Sequence, residues 1–87
     1  MKWSKIDRTV NSEGTTITYA AEGLNRIILI QSRRRHIPHA NGIGTWDHTT
    51  YHIIAAGMEA PSYYRTLGEA KEAAEILAEA LYGRLQR

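Results

Sequence analysis

RIILIQSRRRHIPHANGIGTWDHTTYHIIAA, residues 26–56, decides the fold. It opens on a β-branched run, RIILIQS (26–32), and closes on TTYHIIAA (49–56), which combines alternation with Ile53 and Ile54. Both runs read as strands, because branched and aromatic side chains suit a pleated, half-buried surface. Asn41-Gly42 stands midway between them and is the strongest short hairpin signal, since a type I′ turn needs positive φ at both central positions. With those two residues as the turn, Ala40 faces Ile43, Ile37 faces Trp46, His36 faces Asp47, Ile30 faces Ile53 and Leu29 faces Ile54. Apolar meets apolar and imidazole meets carboxylate. Pro38 opposes this reading locally, because it cannot donate to a ladder.

Upstream, TTITYA (15–20) alternates and predicts a third strand, with Glu22-Gly23 as the intervening turn. That turn sets Ile17 opposite Ile28 and Tyr19 opposite Arg26, and a four-residue loop would keep the same parity. Weaker strand signals run through Trp3 to Val10 and at Tyr63-Tyr64, the latter after a turn spanning Gly57 to Pro61. Downstream the period changes. LGEAKEAAEILAEALYGRLQR (67–87) places Ala70, Ala73, Ala74, Leu77 and Leu81 on one helical face and Glu72, Glu75 and Glu79 opposite. Thr66 with Glu69 fits a capping box, in which Thr66 takes an orphan N–H and Glu69 returns to the Thr66 backbone. Gly83, Arg84 and Arg87 suit the helix end.

The expected architecture is α+β: an antiparallel meander of three to four strands with one C-terminal helix packed on one face. Strand parity decides the faces. Ile17, Tyr19, Ile28, Ile30, Tyr51, Ile53 and Ala55 collect under the helix. Thr16, Thr18, Ile27, Leu29, Ile54 and His52 collect on the other side, with Arg33, Arg35, Ile37, Trp46 and His48 toward the tip. One helix covers one side only, so Ile27, Leu29 and Ile54 call for the N-terminal segment, a second copy or a partner. The hairpin from about residue 32 to 50 is expected to project as a two-stranded ribbon.

Composition sets the outer bounds. The 87 residues make a single domain, 1–87, and 43% hydrophobic against 23% charged residues is an ordinary globular balance. There is no cysteine, which removes disulfides and thiolate chemistry and fits a reducing compartment. No apolar run reaches bilayer length, and MKWSKIDRTV lacks the apolar region of a secretory signal, so the expected setting is cytoplasmic with no membrane partner. The net charge is only +2, yet the excess sits in 31–52, where three arginines face Asp47 alone beside His36, His39, His48 and His52.

Two readings of Arg33-Arg34-Arg35 stand side by side: solvated edge charge that blocks strand aggregation, or a contact for phosphates or an acidic partner. Trp46 either packs across the hairpin on Ile37 or stacks on a base. His36 and His39 with Asp47, His48 or His52 offer imidazole and carboxylate ligands, but on a ribbon His36 and His39 point to opposite faces, and no metal or other cofactor is expected. No nucleophile elbow, zinc-protease helix or phosphate-binding lysine motif is present, and the helix glutamates lack a group to tune them for proton transfer. The chain is not expected to be an enzyme.

SYYRTLGEAKEAAEILAEAL (62–81) resembles the closing segment of many small proteins encoded by phages and other mobile elements, in which a short aromatic strand leads through T-L-x-E-A-K-x-A-A-E into a final helix. It covers about a quarter of the chain and implies a similar sheet-plus-helix unit. The strand–strand–strand–helix order is also similar in topology to the arm-binding N-terminal domains of tyrosine recombinases, which present a small sheet to DNA. Two functional expectations follow. The first is a nucleic-acid-binding module in which Arg33, Arg34 and Arg35 contact phosphates, supported by Arg26, Trp46, His48 and His52. The second is a phage-type accessory protein that inhibits a host defence or nucleic-acid-handling complex, anchored by Ile27, Leu29 and Ile54, with the arginines on an acidic protein surface. A homodimer through the same three apolar residues is the remaining possibility.

Overall fold

The computed structural model describes residues 2–23, 27–38, 40 and 42–82. Five strands and one helix follow in order: β1 (Trp3–Asn11), β2 (Gly14–Ala21), β3 (Ile28–Pro38), β4 (Thr45–Ala55), β5 (Met58–Tyr64) and α1 (Leu67–Tyr82). The strands form one antiparallel meander in chain order. The class is the expected α+β, but the sheet has five strands where three to four were expected, because both weak signals are full strands.

The central ladder has the register read from the sequence: Leu29 pairs Ile54, Ile30 pairs Ile53, His36 pairs Asp47 and Ile37 pairs Trp46. Pairing ends at Pro38 and Thr45, so the connection is longer than two residues; the expected turn residue Asn41 lies outside the described residues. Pro38 is accommodated as the last residue of its strand, where the missing N–H costs least. The β2–β3 register differs from expectation. Tyr19 pairs Ile30 and Ile17 pairs Ser32, a shift of four residues on β3 that preserves the faces because it is even.

The expected turn at Gly57–Pro61 is also corrected. Ala55 pairs Met58, leaving Ala56-Gly57 as a two-residue turn with positive φ at both positions, 52° and 81°, the backbone that type I′ demands. Pro61 lies inside β5. Between the pairs Ile54–Glu59 and His52–Tyr63 the ladder is irregular, with three residues of β5 opposite Ile53. An edge-strand bulge of this kind tolerates proline.

The helix lies on the face that parity assigned to it. Ile28, Ile30 and Ile53 are fully buried against Ala70, Ala74 and Ala78, with Tyr19, Tyr51, Ala55, Tyr64 and Leu77 packed around them. Each isoleucine contributes about 2 kcal/mol by burial, and the alanine stripe lets the helix approach closely. Ala78 replaces Leu81 in the buried stripe; Leu81 is exposed, because the last turn passes beyond the packed part of the sheet. Glu75 is not a free surface carboxylate: the Trp3 indole donates to it at 3.3 Å, tying the helix to β1. At the other end, the Glu69 amide donates to Thr66 Oγ1 at 3.1 Å, as the capping box requires. The Glu69 carboxylate accepts from the Thr66 hydroxyl instead of the expected backbone N–H. Gly83, Arg84 and Arg87 lie outside the described residues.

β5 ends at Tyr64, opposite Tyr51 midway along β4, and α1 returns from there over the proximal half. Among the described residues, no helix lies on either face of the distal half of a molecule 51 Å long and about 20 Å across. It is broader than the expected two-stranded ribbon. β2 accompanies β3 out to the pair Gly14–Arg35, and the His36 amide donates to the Glu13 carbonyl at 3.1 Å. Only the last residues before the tip project as two strands. The β1–β2 turn is built by Asn11, whose Oδ1 accepts the Glu13 and Gly14 amides at 2.8 and 3.1 Å. Gly14 has φ of 153°, and a Cβ there would lie 1.8 Å from the Arg34 carbonyl oxygen. Glycine at this position lets the β1–β2 hairpin lie against the arginine segment.

Candidate macromolecule-binding face

Alternation along β3 divides the arginine run. Arg33 and Arg35 stand on the outer face, away from the helix, and Arg34 on the helix-side face of the distal sheet. The outer face carries cross-strand rows set by the ladders: Ser4, Ala20, Leu29, Ile54 and Glu59 near the base, then Asp7, Thr18, Gln31, His52 and Tyr63, then Thr9, Thr16, Arg33 and Thr50, then Arg35 beside His48, and finally Ile37 with Trp46.

Two of the arginines are already paired. Arg33 reaches across β4 to Glu59 on β5, its two terminal nitrogens donating to the two carboxylate oxygens, while its Nε donates to Gln31 at 2.7 Å. His52 Nδ1 lies 3.4 Å from the same carboxylate, and its Nε2 is 2.7 Å from the Thr50 hydroxyl. On the other face, Arg34 donates to Asp47 through Nε at 2.9 Å and through a terminal nitrogen, and His36 Nδ1 is 2.7 Å from the second Asp47 oxygen. The sheet thus carries the same trio, arginine–carboxylate–histidine, once on each face. Arg35 contacts Thr16 and the Arg34 carbonyl and has no carboxylate partner among the described residues.

These pairings set the ionisation. Hydrogen bonds from Arg33 hold the Glu59 carboxyl below its usual range, and those from Arg34, then His36, do the same for Asp47. Burial, followed by the Arg33 charge, lowers His52 and favours its neutral form.

Trp46 pairs with Ile37 in the register read from the sequence and remains 44% exposed, with its ring edge-on to His48 at 5.6 Å. Ile27 is exposed and Leu29 and Ile54 are half-buried on the outer face. β1 does not cover them, since it extends the sheet in plane beside β2. Arg26 lies outside the described residues, as does His39. Among the described residues no three histidine or carboxylate side chains gather into a metal cluster, and no helix is long and apolar enough to cross a membrane. A second apolar surface, an open groove between β5 and α1 lined by Ala60, Pro61, Ile76 and Ala80, contains no charged group.

Glu59, Gln31 and Thr50 are the site residues that sequence reading did not name. The signal for Glu59 was present only in the register of β5, hidden when Gly57–Pro61 is taken as a turn. No protein-family model, curated protein or solved structure matches the chain.

Proposed function

We propose that the protein is a non-enzymatic module that binds nucleic acid through the outer face of its sheet, out to the tip of the distal hairpin. The observation that carries this reading is the outer face itself, on which no helix of the described residues lies: Arg33 and Arg35 stand among threonines and Gln31 beside His48, the carboxylates Asp7 and Glu59 sit on the two border strands nearer the base, and the face ends in the half-exposed Trp46. Two residues of strand separate the guanidinium-bearing positions by about 6.6 Å, roughly the rise of two base pairs along a duplex axis. Threonines and glutamine add donors for phosphate and sugar oxygens, and Trp46 offers an aromatic surface at the tip.

The test is a fluorescence-anisotropy titration of labelled duplex and single-stranded 20-mers at about 50 and 200 mM salt, a range over which phosphate-dominated binding weakens steeply. Arg35→Ala is expected to weaken binding about fivefold or more, whereas Ile27→Ser and Leu29→Ser leave it near wild type. No binding by the wild-type chain at the lower salt defeats the reading. The alternative, an accessory protein that docks on an acidic protein surface or on its own copy, is supported by Ile27, Leu29 and Ile54, which no segment of the described chain covers; for that function the apolar substitutions are the damaging ones.

A further inference from the structure

The Arg33–Glu59–His52 trio has the form of an oxyanion site with its own occupant. Two Arg33 nitrogens and His52 Nδ1 converge on one carboxylate. Gln31 fixes the guanidinium by its Nε edge, and Thr50 engages the far side of the imidazole. A guanidinium fork binds carboxylate and phosphate with the same bidentate geometry. The occupant comes from β5, an edge strand with an irregular ladder beside Glu59, and the Glu59 side chain is 43% exposed. The cradle belongs to β3 and β4, the regular centre of the sheet. Cradle and plug therefore sit on different strands, and the plug is on the less constrained one.

We infer that Glu59 is an internal phosphate mimic: the Arg33–His52 cradle is a phosphodiester-binding site that the chain itself fills, and a nucleic-acid backbone must displace the Glu59 carboxylate to use it. This rests on the outer-face reading above. Binding then exchanges one ion pair for another, so wild-type affinity carries only part of the Arg33 contact. Removing the carboxylate releases the whole of it.

The mirror-image trio supplies the control. Glu59→Gln and Asp47→Asn each remove one negative charge, but Asp47 is on the opposite face, so a general charge effect would treat the two alike. In the same anisotropy titration, Glu59→Gln is expected to tighten binding about three- to tenfold and to steepen the plot of log affinity against log salt by about one unit. Asp47→Asn is expected to change neither by more than about a factor of two. Glu59→Ala repeats the measurement without the amide, and thermal melts verify that each variant is folded. Equal gains from Glu59→Gln and Asp47→Asn, or no gain from folded Glu59 variants while the wild type binds, overturn the inference and leave the outer-face reading in place. If neither the wild type nor Glu59→Gln binds, both fall together.

Discussion

The proximal and distal halves of this sheet are both built from strand residues of mixed polarity, but they are held together differently. In the proximal half, Ile28, Ile30 and Ile53 are sealed beneath an alanine stripe, and apolar burial carries the stability. Among the described residues the distal half has no helix; ladders, an Asn11-built turn, a glycine at a close approach and the Arg34–Asp47–His36 trio hold it, while the Arg33–Glu59–His52 trio ties it back to the base of the sheet. The difference teaches that a chain of this size can extend a sheet well beyond its core when backbone pairing and polar side chains take over from packing, and that the extension is where unspent surface lies.

Substitutions test that division most strongly in the core. Ile30→Ala should cost about 4 kcal/mol, within the range for buried large-to-small changes, whereas Ile37→Ala, at the exposed hairpin end, should cost less than about 1 kcal/mol. Urea denaturation of the two variants measures both, and similar costs would erase the distinction between the halves. Gly14→Ala comes next, at about 2–3 kcal/mol, since the new methyl meets backbone at the Arg34 carbonyl and not a yielding side chain. Amide hydrogen exchange should show the lost protection concentrated in β1, β2 and the arginine segment, with the residues under α1 little changed.

Acid should have the smallest effect, and it should act on the polar network. Glu59 and Asp47 are held below their ordinary values of 4.5 and 3.8, so their contribution is present above those values and is lost as pH falls through the lower folded ones. His52 is held below 6.5; the unfolded chain takes up that proton first, so stability also declines as pH drops beneath 6.5. Thermal melts from pH 7 to 3 should fall throughout, and the double variant Glu59→Gln, Asp47→Asn should flatten the part below about pH 4.5. A melting temperature that rises on acidification would contradict the assignment.

Much of the fold was legible because it depends on parity. Ile30 opposite Ile53 and His36 opposite Asp47 follow from a hairpin centred on Asn41-Gly42, and the helix face follows from alternation alone. The β2–β3 register was not legible, since Glu22-Gly23 marks where the chain turns but not how many residues the turn consumes. Pro61 misled because proline signals a turn in isolation, whereas an edge bulge accepts it. For the candidate site, Arg33, Arg35, Trp46, His48 and His52 could be placed on one face from the sequence. Their state of charge could not, because Arg33 is neutralised by a residue 26 positions away on a strand whose register was hidden.

The bulge around Pro61 has its counterpart at the opposite border, where β1 breaks register between Lys5 and Asp7 in a segment rich in charge. A newcomer strand would find proline and a kink along one border, and a kink with lysine, aspartate and arginine along the other. Such a sheet resists lengthening by strand addition at either border, for all its uncovered breadth.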